Sequence, residues 1–365
     1  MKFIRTILLI LNILLAIGLL LTTVAGSFNP SRFLWPSLLA YGFLPLLAAN
    51  VLMVLLWGLM KRWQALISIA AIAVRWSIVG LFVQVGGIGK MPDREAHPDM
   101  VTVMSYNVRG FHGRDDNWQQ TDSNAHEFLA LVKQYQPDVM CLQEYAVPGK
   151  FALNDSLVLM GYNHYYGTSG SHNIPSGSVV YSRLPITYVN RLDNEKLLVD
   201  LLKENQKFRV CCVHMDSYEF NKDDREELER LRHGEVQESS RRTFGKVRGT
   251  ILSHEAEWSQ ILQPVVQEHS VPLLLVGDLN EIPNSWLCAQ IRKELKDSYC
   301  EKGTGLGITY NDGQKRLLPS GPEWLLQFRI DAVFHSDDIR TLSHKRIKTD
   351  LSDHYPLLVA VEIER

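Results

Sequence analysis

Eight polar residues able to do chemistry sit in short apolar runs, most of them where a run stops or starts. Asn107 closes "MVTVMSYN" (100–107), Glu144 closes "PDVMCLQE" (137–144), and His214 follows "FRVCCV". Asp278 and Asn280 follow "VPLLLVG", Asp331 lies within "RIDAVFHS" (329–336), and Asp353 and His354 lead into "YPLLVAVEI" (355–363). Taken singly, an Asn or Asp at such a place makes a turn, and a lone His beside an apolar run is a satisfied core residue. Taken together they form a reactive set. Glu144, Asn107 and Asp353 are hard oxygen ligands of the kind that suit Mg²⁺ or Mn²⁺, with substrate phosphate and water completing the shell. His354 with a carboxylate behind it is a general-base arrangement. His214, Asn280 and Asn107 are donors able to hold phosphoryl oxygens as charge develops. No Gly-rich P-loop, G-x-S-x-G or H-E-x-x-H motif occurs, which leaves nucleotide-driven and acyl-transfer chemistry without support.

The elements that must position these residues are readable from periodicity. The runs above, with "GSVVYSRLPI" (177–186), have the length and composition of strands. Between them "HEFLALVKQY" (126–135) and "ILSHEAEWSQILQPVVQEH" (251–269) have the i, i+3, i+4 apolar spacing of amphipathic helices. Strands that partly alternate with helices point to two packed sheets with helices outside. Strand ends along one edge of such sheets converge on a common crevice.

The blocks "SYNVRG", "DVMCLQE", "CVHMDS", "GDLNEIP", "RIDAVF" and "SDHYP" resemble, in order and spacing, the signatures of the endonuclease/exonuclease/phosphatase superfamily. That superfamily includes DNase I-like nucleases, sphingomyelinases and inositol-phosphate phosphatases. The resemblance covers about residues 98–365 and implies a four-layered α/β sandwich that hydrolyses phosphoesters with a divalent metal. It casts Glu144 as the principal metal ligand with Asn107 beside it, and Asp353 as a second metal-side carboxylate. His214 matches the phosphate-binding histidine, and Asp278 and Asn280 the pair that orients nucleophile and phosphate. Asp331 matches the carboxylate behind the catalytic His354. The departures, Met215 in "VHM" and Ser178-Val179 in "GSVVYS", remove no reactive group.

The N-terminal part has a different solvent. Residues 1–90 contain no Asp or Glu and seven basic residues, leaving 31 basic and 40 acidic residues in the rest, a net of −9. Three apolar stretches, 3–26, 34–60 and 65–87, each exceed the ~20 residues needed to cross a bilayer. Lys2, Arg5, Lys61 and Arg62 favour the cytoplasmic side, so three crossings leave the C-terminal part outside the cytoplasm. Cleavage of the first stretch as a signal peptide would not change that side. Arg75, inside the third stretch, has three readings: a charge tolerated among the helices, an intramembrane contact, or a sign that the segment does not cross.

The expectation is an α/β protein: a four-layered sandwich of two mixed sheets flanked by helices (100–365), joined by a linker (91–99) to three transmembrane helices (1–90). It is expected to be a membrane-anchored, bacterial-type enzyme of the plasma or inner membrane, with its catalytic domain on the non-cytoplasmic side. The expected substrate is a phosphoester: a lipid headgroup, a small phosphodiester or nucleic acid. The net charge of −9 disfavours tight sequence-independent binding of duplex DNA, which depends on many Lys/Arg–phosphate contacts. A nuclease is the alternative enzyme. A non-catalytic receptor on the same fold is the alternative of another class, and it would require gaps in a constellation that has none. No protein partner is inferred beyond the lipid bilayer. The five cysteines form no metal-binding spacing or disulfide framework. Residues 219–248 are a mixed-charge stretch, a solvated face or, at "RRTFGKVR", a basic lip for phosphate.

Overall fold

A computed structural model describes residues 2–86, 91–114, 117–146, 152–171, 174–218, 239–311 and 327–364. The chain forms two units, one of Met1–Val83 with Glu281–Lys293, the other of Gln84–Asn280 with Glu294–Arg365.

The larger unit is built on two six-stranded mixed sheets. One runs in the order β15 (Ile339–Arg346), β16 (Leu357–Ile363), β2 (Met100–Asn107), β3 (Val139–Tyr145), β5 (Ile174–Ser182), β4 (His164–Ser171). The other runs β10 (Lys296–Asp297), β14 (Asp331–His335), β9 (Leu273–Asp278), β8 (Gln206–His214), β7 (Lys196–Lys203), β6 (Ile186–Arg191). Two short pairs, β1 (Gln84–Val85) with β11 (Thr304–Gly305) and β12 (Tyr310–Asn311) with β13 (Gln327–Phe328), stand apart.

Side chains alternate between the faces of a strand, and the core separates accordingly. Val101, Val103, Val139 and Cys141 of the first sheet join Val210, Cys212, Leu274, Val276 and Val333 of the second in one buried cluster between the sheets. Met104, Tyr106, Met140 and Leu142 point the other way, onto Phe128 and Leu131 of the helix Thr121–Tyr135 and Leu153 and Leu157 of the helix Leu153–Leu159. The expected strands are present, and within the two large sheets β4, β6, β7, β10 and β15 are added to them. Cys141, Cys211 and Cys212, set in apolar strands, are buried free thiols, and Cys288 is buried as well. Residues 219–238 of the mixed-charge stretch lie outside the described residues, and "RRTFGKVR" falls within the helix Ser239–Glu257.

A buried polar cluster supports β14 and β15. Arg329 forms a two-pronged ion pair with Asp297 at 2.7 and 3.2 Å, and the Ser298 hydroxyl lies 3.0 Å from His344 Nδ1. Burial pushes the His344 imidazole down to about 4, whereas in the unfolded chain it titrates near ~6.5. Between those values the unfolded state binds the extra proton. The stabilisation is therefore complete above the unfolded value and is lost as pH falls towards the folded one, by about 2–3 kcal/mol. Melting temperature should drop between pH 7 and pH 4.5, and His344→Asn should flatten that part of the profile. An unchanged slope in the variant would assign the drop to other groups.

In the smaller unit, α1 (Lys2–Thr22) packs against α2 (Trp35–Ala40), α3 (Phe43–Leu59) and α4 (Ala65–Val74), which is followed by α5 (Trp76–Phe82). Ala16, Leu19, Phe43, Ala71, Val79 and Phe82 form its core. Buried amides link the helices: Asn50 Nδ2 donates to Leu15 O at 3.0 Å, Asn12 Nδ2 donates to Gln64 O at 3.0 Å, and the Ser68 hydroxyl donates to Asn12 Oδ1 at 2.6 Å. Leu14, Ile17, Leu52, Leu55 and Leu66 are exposed on the outside.

The three apolar stretches are not three straight helices. Among the described residues, only Lys2–Ser27 forms a single helical stretch long and apolar enough to cross a bilayer. The second stretch breaks at Tyr41-Gly42, because Pro45 has no N–H for the Tyr41 carbonyl and is accepted only in a first turn. That leaves α3 with 17 residues. The third breaks at Arg75, where φ is −117° and α4 and α5 meet at 74°.

Candidate active site

Parity carries most of the site into the gap between the sheets. Asn107 continues the inward row of Val101 and Val103, His214 that of Val210 and Cys212, Asp278 that of Leu274 and Val276, and Asp331 shares a face with Val333. His214 and Asp331 are the register partners of Asp278 on its two sides. The close approach of β8 and β9 requires a glycine beside Asp278. Gly277 has φ of +151°, and a Cβ there would stand 1.8 Å from Val213 O.

Glu144 breaks parity. Alternation would place it on the outer face with Leu142. The β3–β5 register shifts between Leu142 and Tyr145, and Glu144 takes φ of +50°. This bulge sends Tyr145 into the outer core and turns Glu144 inward to accept from Asn107 Nδ2 at 2.9 Å.

Asn107 Nδ2 also donates to Asp278 Oδ2 at 3.1 Å, so one amide ties two carboxylates together. His354 Nδ1 lies 2.9 Å from Asp331 Oδ2, and its Nε2 lies 3.6 Å from Asp278 Oδ2. His214 Nε2 is 3.7 Å from Glu144 Oε1 and 4.0 Å from Asp278 Oδ2. The Asn280 backbone N–H donates to Asp278 Oδ1 at 2.9 Å, and its side-chain amide donates to Met215 O at 2.9 Å. Seven of the eight expected residues thus form one connected set. Asp353 instead lies 3.2 Å from Arg109 Nη1.

Sequence reading missed several supports. Glu195 Oε2 lies 3.2 Å from His214 Nδ1, which gives His214 the same carboxylate backing that Asp331 gives His354. It stands just before "KLLVDLLK", the same strand-edge signal as the others, on a run not read as a strand. Thr309 Oγ1 accepts the backbone N–H groups of Ile330 and Asp331 at 3.0 Å, and Thr309 O accepts that of Tyr355 at 2.7 Å, so one residue straps both halves of the Asp331–His354 pair. The Tyr310 ring lies 5.1 Å from the His354 ring.

Burial alone would lower the His354 pKa, but Asp331 and Asp278 more than offset it and raise it to about 10. His214 follows the same pattern, with burial outweighed by Glu195, Asp278 and Glu144, and rises to about 9. Burial and the neighbouring Asp331 carboxylate raise Asp278. The site therefore gathers Glu144, Glu195, Asp278 and Asp331 around two imidazoles, a surplus of negative charge that a divalent cation would balance. Among the described residues, ligand atoms of Asp278, Asp331 and His354 lie within 4.8 Å of one another. All three are buried and already engaged, leaving little room for the waters Mg²⁺ retains. Glu144, with 42% of its side chain exposed, has that room. The donors present fit a hard cation.

Two mixed sheets flanked by helices thus hold two acid-backed imidazoles in the crevice between them. A model of the Endonuclease/Exonuclease/phosphatase family matches residues 104–354, and the chain belongs to that family, whose members generally hydrolyse phosphoesters. A second model, a domain of unknown function designated DUF8431, matches residues 5–82. Similar solved structures include an endonuclease/exonuclease/phosphatase from Beutenbergia cavernae, 17% identical over 73% of this chain and 72% of that one, TM-score 0.46. Truncated Caenorhabditis elegans TDP2 is 16% identical over 74% of this chain and 99% of that one, TM-score 0.48. The human Nocturnin catalytic domain is 16% identical over 73% and 95%, TM-score 0.45. No curated protein matches the chain.

Proposed function

We propose that the protein is a divalent-metal-dependent phosphodiesterase, tethered to a membrane with its catalytic domain on the non-cytoplasmic side. The observation that carries the reading is the Asp331–His354–Asp278 arrangement, 2.9 Å on one side of the imidazole and 3.6 Å on the other. Glu144 and Asn107 would hold Mg²⁺ or Mn²⁺, which when bound supplies charge neutralisation for the phosphoryl oxygens. Asp353, paired with Arg109, contributes from the edge of that group. His354, kept protonated by Asp331 and Asp278, would position the attacking water, and Asp278 would take its proton. His214, held by Glu195, and Asn280 bind the phosphoryl oxygens.

Five features of the helical unit support the tether and its orientation. Leu46 lies 3.4 Å from the Cβ position of Gly18, and Thr22 lies 3.6 Å from that of Gly42. With the Asn50–Leu15 bond, these contacts make α1 and α3 antiparallel, which gathers Lys2, Arg5, Lys61 and Arg62 at one end. Phe82 stacks on Phe43 at 4.8 Å between ring centroids. The bent α4–α5 segment therefore leaves at the opposite end, in keeping with a third crossing despite Arg75. The exposed apolar side chains of α1 and α3 suit lipid, which favours a lipid headgroup or small phosphodiester as substrate.

Full-length protein in detergent micelles should hydrolyse bis-p-nitrophenyl phosphate with Mg²⁺ or Mn²⁺ and lose that activity in EDTA. Absence of hydrolysis with either metal would refute the reading, and a strong preference for plasmid DNA would make it a nuclease. A reporter active only outside the cytoplasm, fused after residue 90, should be active. Activity of a cytoplasm-only reporter there would reverse the orientation.

A further inference from the structure

The smaller unit includes Glu281–Lys293, a segment that begins at the residue after Asn280 of the active site. Within that unit Asn284 is 2% exposed, and its Nδ2 donates to Thr22 O at 3.1 Å and to Ala40 O at 3.3 Å. These carbonyls lie at the C-terminal ends of α1 and α2, where a helix has no N–H of its own to satisfy its last four C=O groups. One amide thus caps two helices. The Ser285 hydroxyl caps the next helix, Trp286–Glu294, by accepting from Cys288 N–H at 3.2 Å. A Cβ on Gly26 would come within 2.8 Å of Ala289 Cβ, so that helix sits hard against the turn after α1.

The link back to the chemistry is short. Asn280 sits at φ of +49°, Ile282 is buried, and Pro283 fixes its own φ. On the other side of Glu281, Leu279 N–H donates to Ile330 O at 2.9 Å and Asn280 N–H to Asp278 Oδ1 at 2.9 Å. We propose that Asn284 is a positioning residue: by fastening residues 281–285 to the ends of α1 and α2, it sets, through the continuous chain, the conformation of the Asp278–Asn280 loop that Glu281 follows. This rests on the phosphodiesterase reading for its activity readout alone.

The test uses the full chain in micelles, with Asn284→Leu, Gly26→Val and, as a control in the same unit, Gly58→Ala, whose Cβ would meet nothing within 4 Å. Asn284→Leu and Gly26→Val should each lower kcat about tenfold or more with KM within about twofold, while Asn284→Gln recovers part of the loss and Gly58→Ala behaves as wild type. Hydrogen exchange supplies a readout independent of activity: in Asn284→Leu, the Leu279 and Asn280 amides should exchange about tenfold faster at a temperature where the rest of the larger unit is unchanged. Faster exchange confined to 281–293 and the helix ends, or normal kcat in both variants of an active enzyme, would overturn the proposal. An inactive wild type would instead refute the phosphodiesterase reading, and the Leu279–Asn280 exchange would still decide this one.

Discussion

Glu144→Gln should lower phosphodiester turnover by roughly two to three orders of magnitude, the scale on which one electrostatic contribution to a transition state is lost. The substitution keeps shape and one acceptor oxygen while removing the charge. Glu144 is partly exposed and its carboxylate accepts from Asn107, so folding stability should change by no more than ~1–2 kcal/mol. A second readout avoids dependence on turnover. Mg²⁺ or Mn²⁺ should raise the melting temperature of the wild-type protein by binding the native state, and Glu144→Gln should abolish most of that rise. A variant with full activity and an undiminished metal-induced shift would remove Glu144 from the cation site.

His354→Ala should cost more still, about three orders of magnitude, with Asp331→Asn about tenfold milder and the double variant no worse than His354→Ala alone. On the proposed reading Asp331 would act through the imidazole: its Oδ2 lies 2.9 Å from Nδ1, which leaves Nε2 facing Asp278. Asn at 331 retains a hydrogen bond but can select the other tautomer. Turnover numbers measured beside melting temperatures separate catalysis from folding. Multiplicative losses in the double variant would mean the two side chains act independently.

What could be read in the sequence follows from what period-2 alternation encodes. Asn107, His214, Asp278 and Asp331 extend inward rows of Val, Cys and Leu, so their convergence was implicit in the runs. Glu144 was found by its block, yet its inward direction depends on a bulge and a positive φ that no periodicity announces. Glu195 was passed over because "KLLVDLLK" is flanked by charges and reads weakly as a strand, although the tertiary pairing of β6 and β8 makes it one. Thr309 lies far from Asp331 and His354 in any local window, and only the fold reveals its strap. The apolar stretches were legible as apolar, but hydropathy is blind to the missing N–H of Pro45 and to the bend at Arg75.

The discontinuity of the helical unit bears on how the protein is made. Asn284 leaves the ribosome about 200 residues after Phe82, which at ~5–20 residues per second is a delay of about 10–40 s. Throughout that interval the carbonyls of Thr22 and Ala40 lack their partner, and the helices wait as an incomplete assembly. A chain halted before residue 284 would carry uncapped helix ends. Expression of the helices alone, or of a domain begun after residue 90, would split one folding unit between two polypeptides, and co-expression of the two pieces would be the way to recover it.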